Sequence, residues 1–191
     1  MKCRHCQSQN MGSFLDLGTA PPSNSYVRQA DLGKPELWYP LVIRVCRECL
    51  LVQTEDFAAR ETFFSESYAY FSSFSTSWLG HAEAYVAAMA ERFGLDASSR
   101  VVEVAANDGY LLQYVKARGI PCLGVEPTAS TATAAREKGI EIVEDFFGVE
   151  LAARLAADGW GADLMAANNV LAHVPDINDF VAGFARLLKP T

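Results

Sequence analysis

The run Val101-Val-Glu-Val-Ala-Ala-Asn-Asp-Gly-Tyr-Leu-Leu112 constrains the fold more than any other part of the chain. An apolar stretch ends in an acid and a short turn of small residues, and an apolar helical pattern begins at Leu111. That order is the strand–turn–helix opening of a nucleotide-type α/β sheet, in which a ligand lies over the strand's carboxyl end. About one βα unit later, the strand Cys122-Leu-Gly-Val-Glu-Pro127 closes on Glu126. An acid there is placed to accept hydrogen bonds from both ribose hydroxyls of an adenosine.

The turn itself is poor in glycine, with only Gly109 beside Ala105, Ala106 and Asn107. Pyrophosphate needs close approach of bare backbone at a helix N-terminus, which disfavours NAD or ATP. S-adenosylmethionine carries no phosphate, and its methionine part tolerates Ala and Asn beside the strand. On this stretch alone, a plain βα unit without a ligand remains an equal reading.

With 191 residues, half of them hydrophobic, the chain can build one full domain plus a small module. No apolar run reaches the roughly 18 residues of a membrane span, and Met-Lys-Cys-Arg-His-Cys6 lacks a secretory apolar core. A formal charge of −7 argues against a nucleic-acid partner, because phosphate binding needs a basic surface. Four of the five cysteines fall in two pairs, which reads as a metal site in a reducing, cytoplasmic setting.

Those pairs are Cys3-Arg-His-Cys6 and Cys46-Arg-Glu-Cys49. Each Cys-x-x-Cys knuckle lets two thiolates grip one face of a tetrahedral ion, and four thiolates close a structural zinc shell. A redox dithiol is the competing reading, more usually a single Cys-x-x-Cys in a βαβ context. Between the knuckles, Ser13–Gly18 and Trp38–Val45 read as strands around the turn Ala20–Asn24. His5 is expected to be solvated, and Cys122 to be a small buried hydrophobe.

The segment Glu66–Trp78 is rich in serine and aromatics, unlike a flexible linker, and is expected to pack on something. A helix follows from an N-cap at Thr76 or Ser77 to Arg92, stopped by Gly94. Leu79, Ala82, Tyr85, Val86, Met89 and Phe93 share its apolar face, with His81 off it. Beyond Glu126 the pattern predicts a helix to Lys138, a strand Glu141–Phe147, a helix 148–157 and a strand Ala162–Leu171. Asp145 and Phe146 end the first of these strands, where an acid and an aromatic could serve an adenine. Asn168 and Asn169 interrupt the second near its carboxyl end, and buried polar groups there favour a ligand-facing role. His173 lies in the following loop, and a last helix carries Phe180 to Lys189. The units expected are a zinc-binding module at 1–56, a connecting segment at 57–98 and an α/β domain at 99–191. Only part of a larger sheet is predicted, and the outer edge of its last strand is expected to be bare. A missing C-terminal domain or a partner chain would cover it.

Taken together, the chain resembles the zinc-containing sugar C-methyltransferases, which act on nucleotide-linked keto-deoxysugars in antibiotic and cell-surface glycan pathways. The matching pieces are the four knuckle cysteines, Leu15–Gly18, Tyr68–Ser75, Glu103–Gly109, Glu126-Pro127 and Asn168–Val174. Ala105 and Ala106 stand where that family often has Gly and Ser. The resemblance implies a Rossmann-like class I methyltransferase core, an α/β fold, behind a structural zinc module, with S-adenosylmethionine as cofactor. It also implies a C-terminal domain carrying a Tyr-His-Glu-His-type motif, for which this sequence has no counterpart. Implied cofactor contacts are Glu103, Ala105, Asn107, Gly109, Glu126, Pro127, Asp145, Phe146, Asn168 and Asn169. His173 and Tyr68 would line the substrate pocket as catalytic groups, with a nucleotide sugar as substrate. Two alternatives stay open: a non-catalytic remnant that binds cofactor or a partner chain, and methylation of another small acceptor.

Overall fold

The computed structural model describes residues 1–57, 64 and 68–190. Glu66 and Ser67, which open the serine- and aromatic-rich segment, lie outside the described residues. The chain divides into two compact units, Met1–Ala69 with Ala172–Asn178, and Tyr70–Leu171 with Asp179–Thr191.

The first unit contains a three-stranded antiparallel sheet of β1 (Met11–Ala20), β2 (Tyr39–Cys46) and β3 (Val52–Thr54), in that order. Met11 lies opposite Cys46 and Ala20 opposite Tyr39, with register shifts between Ser13 and Leu15 and between Asp16 and Thr19. Both predicted strands are present: the first extends two residues beyond its pattern at each end, and the second is shifted by one residue. Among the described residues, the sheet encloses no apolar core of its own. Phe14, Leu17 and Trp38 are each more than half exposed, whereas Cys3 and Cys46 are fully buried. A module this small with so little buried carbon needs another source of stability, and a metal shell is the usual one.

The second unit opens with α1 (Thr76–Phe93). Its cap is Ser75, one residue before the predicted candidates, because the Ser75 side chain accepts the Trp78 N–H. Gly94, at φ 61°, closes the helix as predicted. Ala82, Val86 and Ala90 are its buried residues, and Leu79 and Tyr85 of the predicted face pack half-buried against the same core. Phe93 departs from that face: its ring is exposed beneath the Arg92 guanidinium, at 5.4 Å.

Four parallel strands follow: β4 (Val101–Val104), β5 (Cys122–Val125), β6 (Glu141–Val143) and β7 (Leu164–Ala166), in the order β6-β5-β4-β7. All four residues of β4 are buried, as expected of a central parallel strand covered on both faces. The crossover helices are α2 (Leu112–Ala117), α3 (Ala129–Glu137) and α4 (Val149–Ala157), with α5 (Ile177–Leu187) last. One side of the sheet packs Leu111, Leu112, Val115, Ala132, Ala135 and Ile140 with α1. Phe147, Phe180 and Phe184 make a separate aromatic cluster, with centroids 5.1–5.7 Å apart.

Two sequence expectations change here. β6 and β7 are three residues each, so Asp145, Phe146, Asn168 and Asn169 lie beyond the strands in the turns that follow. Asn169 takes φ 53°, a left-handed conformation that asparagine tolerates better than most residues, and this accounts for a polar residue there. The outer edge is also not bare at Ala162, where the predicted strand begins, two residues before β7. Leu188 makes a parallel bridge to Ala162, closed by Ala162 N–H to Leu187 O and Lys189 N–H to Ala162 O, both 2.9 Å. Among the described residues, no helix is long and apolar enough to cross a membrane.

Because the first unit leans on its thiols, stripping its metal should unfold it selectively. Titration with a strong chelator is expected to release one zinc per chain, expose four fast-reacting thiols and collapse amide protection in β1–β3. The Cys122 thiol, which burial pushes up to about 11, should stay slow. Protection in β1–β3 that survives complete metal release would contradict this account.

Candidate functional site: a thiolate cluster and a cleft at the carboxyl ends of the parallel strands

In the first unit, the four knuckle sulfurs lie within 4.8 Å of one another. The Cys3–Cys49 and Cys6–Cys46 sulfur pairs are each 3.5 Å apart and none is in a disulfide. A tetrahedral zinc with Zn–S bonds of about 2.3 Å would set sulfurs about 3.8 Å apart, so the cluster fits the ion with little adjustment. Burial pushes the Cys3 thiol up, but the Cys6 backbone and the Gln53 side chain outweigh it and bring it down to about 6. The backbone at Cys49 likewise holds Cys46 below the ordinary thiol range. Cys6 and Cys49 move the other way. Backbone donation at Ser8 and at Leu51 is outweighed by burial and the neighbouring thiols, which push Cys6 up to about 12 and raise Cys49. Two of the four sulfurs thus favour the metal-binding thiolate before an ion is bound.

The loop Ala172–Asn178 belongs to this same unit. Asn178 donates to the His5 carbonyl at 2.7 Å, and its side-chain oxygen meets His5 Nδ1 at 2.9 Å. His5, expected to be solvated, is exposed but tied to the loop. His173 sits in a short 3-10 turn, Leu171–His173, edge-on to the Phe64 ring at 6.1 Å. Tyr68 lies against the same ring at 5.5 Å. The two residues assigned catalytic roles from the sequence thus gather around one phenylalanine.

In the second unit, the turn after β4 is built from alternating left-handed residues: Ala105 at φ 57°, Asn107 at 51° and Gly109 at 75°. Two of them carry side chains, which costs about 1–2 kcal/mol each. Glycine is required at 109, where an added Cβ would also overlap Ile140 and crowd Ala135. Glu126 holds the turn in this shape. One of its carboxylate oxygens accepts the Asn107 N–H and the other the Thr128 N–H, both at 2.9 Å. Pro127 between them, having no N–H, leaves that pairing undisturbed.

Glu103 projects from β4 with no exposure, and neither carboxyl oxygen has a hydrogen-bond partner. Burial raises its pKa well above the usual carboxylate range; the nearby Tyr110 and Asn168 side chains oppose the rise, and Glu126 and Asp108 add to it. Asp108 Oδ1 and Thr128 Oγ1 are also buried without partners. Every unpartnered buried side-chain atom of the second unit, among the described residues, therefore clusters at the carboxyl ends of β4 and β5.

Comparison with known proteins places this geometry. Residues 3–64 match a family model described as a zinc binding domain, and residues 102–191 match one described as a methyltransferase domain. The chain is thus similar to a zinc binding domain over its first third and to a methyltransferase domain over its last ninety residues. It is 28% identical over 189 residues to the C-methyltransferase NovU of Streptomyces niveus, covering 99% of this chain and 45% of that protein. The chain thus spans less than half the length of that relative. Among solved structures, it resembles a magnesium protoporphyrin IX methyltransferase from Synechocystis PCC 6803 with 17% identity, covering 59% of this chain and 56% of the other, TM-score 0.46. A methyltransferase from Methanococcus maripaludis gives 12% identity, 72% and 63% coverage, and a TM-score of 0.49.

Several residues assigned to the cofactor from the sequence already have protein partners. The Asn107 side chain is spent on main-chain atoms: Oδ1 accepts the Ser72 N–H at 2.8 Å and Nδ2 donates to Tyr70 O at 3.1 Å. Its backbone N–H is likewise held by Glu126. Asp145 is engaged by Arg154 at 2.6 Å, while Phe146 beside it is half-buried. Asn168 donates to the Tyr110 hydroxyl at 2.9 Å, and Asn169 is exposed. The sequence reading missed Tyr110, which is 3% exposed and lies 5.8 Å from the Trp78 ring. It also missed Asp108 and Lys138, which approach to 3.4 Å. The adjacent Asn-Asp pair was the available signal, because such residues bind neighbouring backbone.

Two glycine substitutions in the turn should have opposite signs. Ala105→Gly relieves left-handed strain and is expected to stabilise by about 0.5–1 kcal/mol after its own entropy cost. Asn107→Gly, at nearly the same φ, strands Ser72 N–H and Tyr70 O and should destabilise by about 1–3 kcal/mol. Denaturant unfolding of both variants decides the matter; equal signs would contradict the assigned role of the Asn107 side chain.

The buried Glu103 gives a pH signature. Its folded-state pKa is raised, so its contribution to stability is complete below the unfolded value of about 4.3 and is lost as pH rises through the folded value. Glu103→Gln cannot ionise. The difference in melting temperature between variant and wild type should grow in the variant's favour from pH 4 to pH 8. A difference that is flat or reversed would mean that Glu103 is ionised in the folded chain.

Proposed function

We propose that the chain binds S-adenosylmethionine at the carboxyl ends of β4 and β5 and serves C-methylation of a nucleotide-activated keto-deoxysugar. The observation that carries the cofactor reading is the concentration of unpartnered buried polar atoms on Glu103, Asp108 and Thr128, next to the Glu126 carboxylate. Buried groups of this kind cost stability unless something completes them. What would complete them is cationic and rich in hydroxyls, because the surrounding side chains are acids. Lys138, the nearby cation, is directed at Asp108. A phosphate ligand has no counter-charge here. A sulfonium compound with an amino group and a ribose does.

In this reading Glu103 faces the ligand's ammonium group, and Glu126 accepts from the ribose hydroxyls through the lone pairs its two backbone donors leave free. Bound there, the cofactor supplies an electrophilic methyl group. The chain's own residues prepare the acceptor carbon. The His173 imidazole takes the proton α to the ketone, and the Tyr68 hydroxyl donates a hydrogen bond to the developing enolate oxygen. Structural zinc takes no part in these steps, since four thiolates leave it no open position. The likeness to a C-methyltransferase supports carbon as the acceptor atom, and the resemblance of the zinc knuckles and the Asn-Asp-Gly turn supports the sugar.

Calorimetric titration with S-adenosylhomocysteine tests the cofactor reading: one site of micromolar affinity is expected, abolished in Glu126→Ala. Turnover assays with keto-sugar nucleotides test the rest. His173→Gln should lower turnover by about 10²–10⁴-fold with cofactor affinity unchanged. No binding by folded, zinc-loaded chain would sink the first reading, and full turnover without His173 the second.

A further inference from the structure

The segment Tyr70–Phe74, which leads into α1, is laced to the turn after β4. The Asn107 amide donates to Tyr70 O, Ser72 N–H donates to Asn107 Oδ1, and Ser73 N–H donates to Asp108 Oδ2 at 3.2 Å. These bonds join the segment to the residue whose own N–H is held by Glu126. Lys138, the residue that ends α3, reaches both halves of this junction. Its Nζ donates to Asp108 O at 2.6 Å and to Ser73 Oγ at 2.7 Å, and it lies 3.4 Å from the Asp108 carboxylate. Two of the three donors of the ammonium thus have acceptors at this junction, and its charge faces the Asp108 carboxylate there.

The Asp108 side chain is only 4% exposed, and Lys138 is its ion-pair partner among the described residues. A buried carboxylate left without a counter-charge is costly, and much of that cost is avoided by protonation. Without Lys138, the acceptor of the Ser73 N–H would weaken and the Asp108 carbonyl would lose its donor. Both changes fall where the aromatic segment meets the turn. A lysine acting only on the helix dipole of α3 would have no need to contact either.

We propose that Lys138 is a positioning residue for the cofactor cleft: it locks the Tyr70–Phe74 segment onto the Asn107–Asp108 turn and so fixes one wall beside the ligand. This rests on the reading that S-adenosylmethionine binds over β4 and β5. Lys138 acts through Asp108 and does not itself touch the ligand.

The test is a double-mutant cycle of Lys138→Met and Asp108→Asn on the zinc-loaded 191-residue chain. It reads S-adenosylhomocysteine affinity by calorimetry and amide exchange across residues 70–74. Lys138→Met is expected to weaken binding about tenfold, in line with loss of a charged hydrogen bond, and to speed exchange at Ser72 and Ser73. In the double variant the second substitution should add little, because both act on one junction. Wild-type affinity in a folded Lys138→Met chain, or strictly additive effects, would overturn the proposal. If wild type itself fails to bind, the cofactor reading falls alone, and unchanged exchange at Ser72 and Ser73 in Lys138→Met would still refute the lock. Should Lys138→Met not fold, Ser73→Ala removes one ammonium partner and is expected to speed exchange at the same amides; unchanged exchange would refute the lock.

Discussion

The second unit depends on one carboxylate shared between two backbone donors. Glu126 grips the N–H groups of Asn107 and Thr128 and thereby joins the turns that follow β4 and β5. Together with the two side-chain bonds of Asn107, it opposes the strain of the left-handed Ala105 and Asn107. Burial of the parallel core supplies most of the free energy of folding, but this carboxylate decides the geometry of the site.

That geometry separates cofactor classes on electrostatic grounds. A phosphate-binding turn relies on bare glycine backbone and a helix N-terminus. Here the turn has one glycine, the Glu126 carboxylate lies beside it, and the nearby Lys138 is paired with Asp108. A carboxylate in that position repels a polyphosphate, so it and the glycine-poor turn disfavour the same ligands. The first unit follows a different principle, with its order resting on four sulfurs rather than on packed carbon.

Much of this was legible in the sequence because the strongest signals are local. The paired knuckles, β4 with its turn, the Glu126 strand end and the Gly94 stop each occupy a few adjacent residues, and all appear where the pattern places them. Side-chain allegiance was not legible. Asn168 read as ligand-facing because polar groups near strand ends need partners, and Asn107 because the resemblance implies a cofactor contact there; the sequence does not show that Tyr70, Ser72 and Tyr110 already pair with them. Strand lengths were overestimated for β6 and β7 because apolar residues continue past the last ladder bond into turns. Lys138 gave no signal, since a lysine before glycine at a helix end satisfies the helix dipole as well as any distant partner.

The ties between the Tyr70–Phe74 segment and the turn have an uneven character. On the turn they use side chains, those of Asn107 and Asp108, whereas on the segment they use main-chain atoms of Tyr70, Ser72 and Ser73. Main-chain atoms are the same in every amino acid but proline. The segment can therefore exchange residues at 70 and 72 and keep its path, while the turn cannot exchange Asn107 without releasing it. Variation across a lineage would then fall on the wall that faces an acceptor and spare the hinge that holds it, so that new acceptors can be tried without rebuilding the cleft.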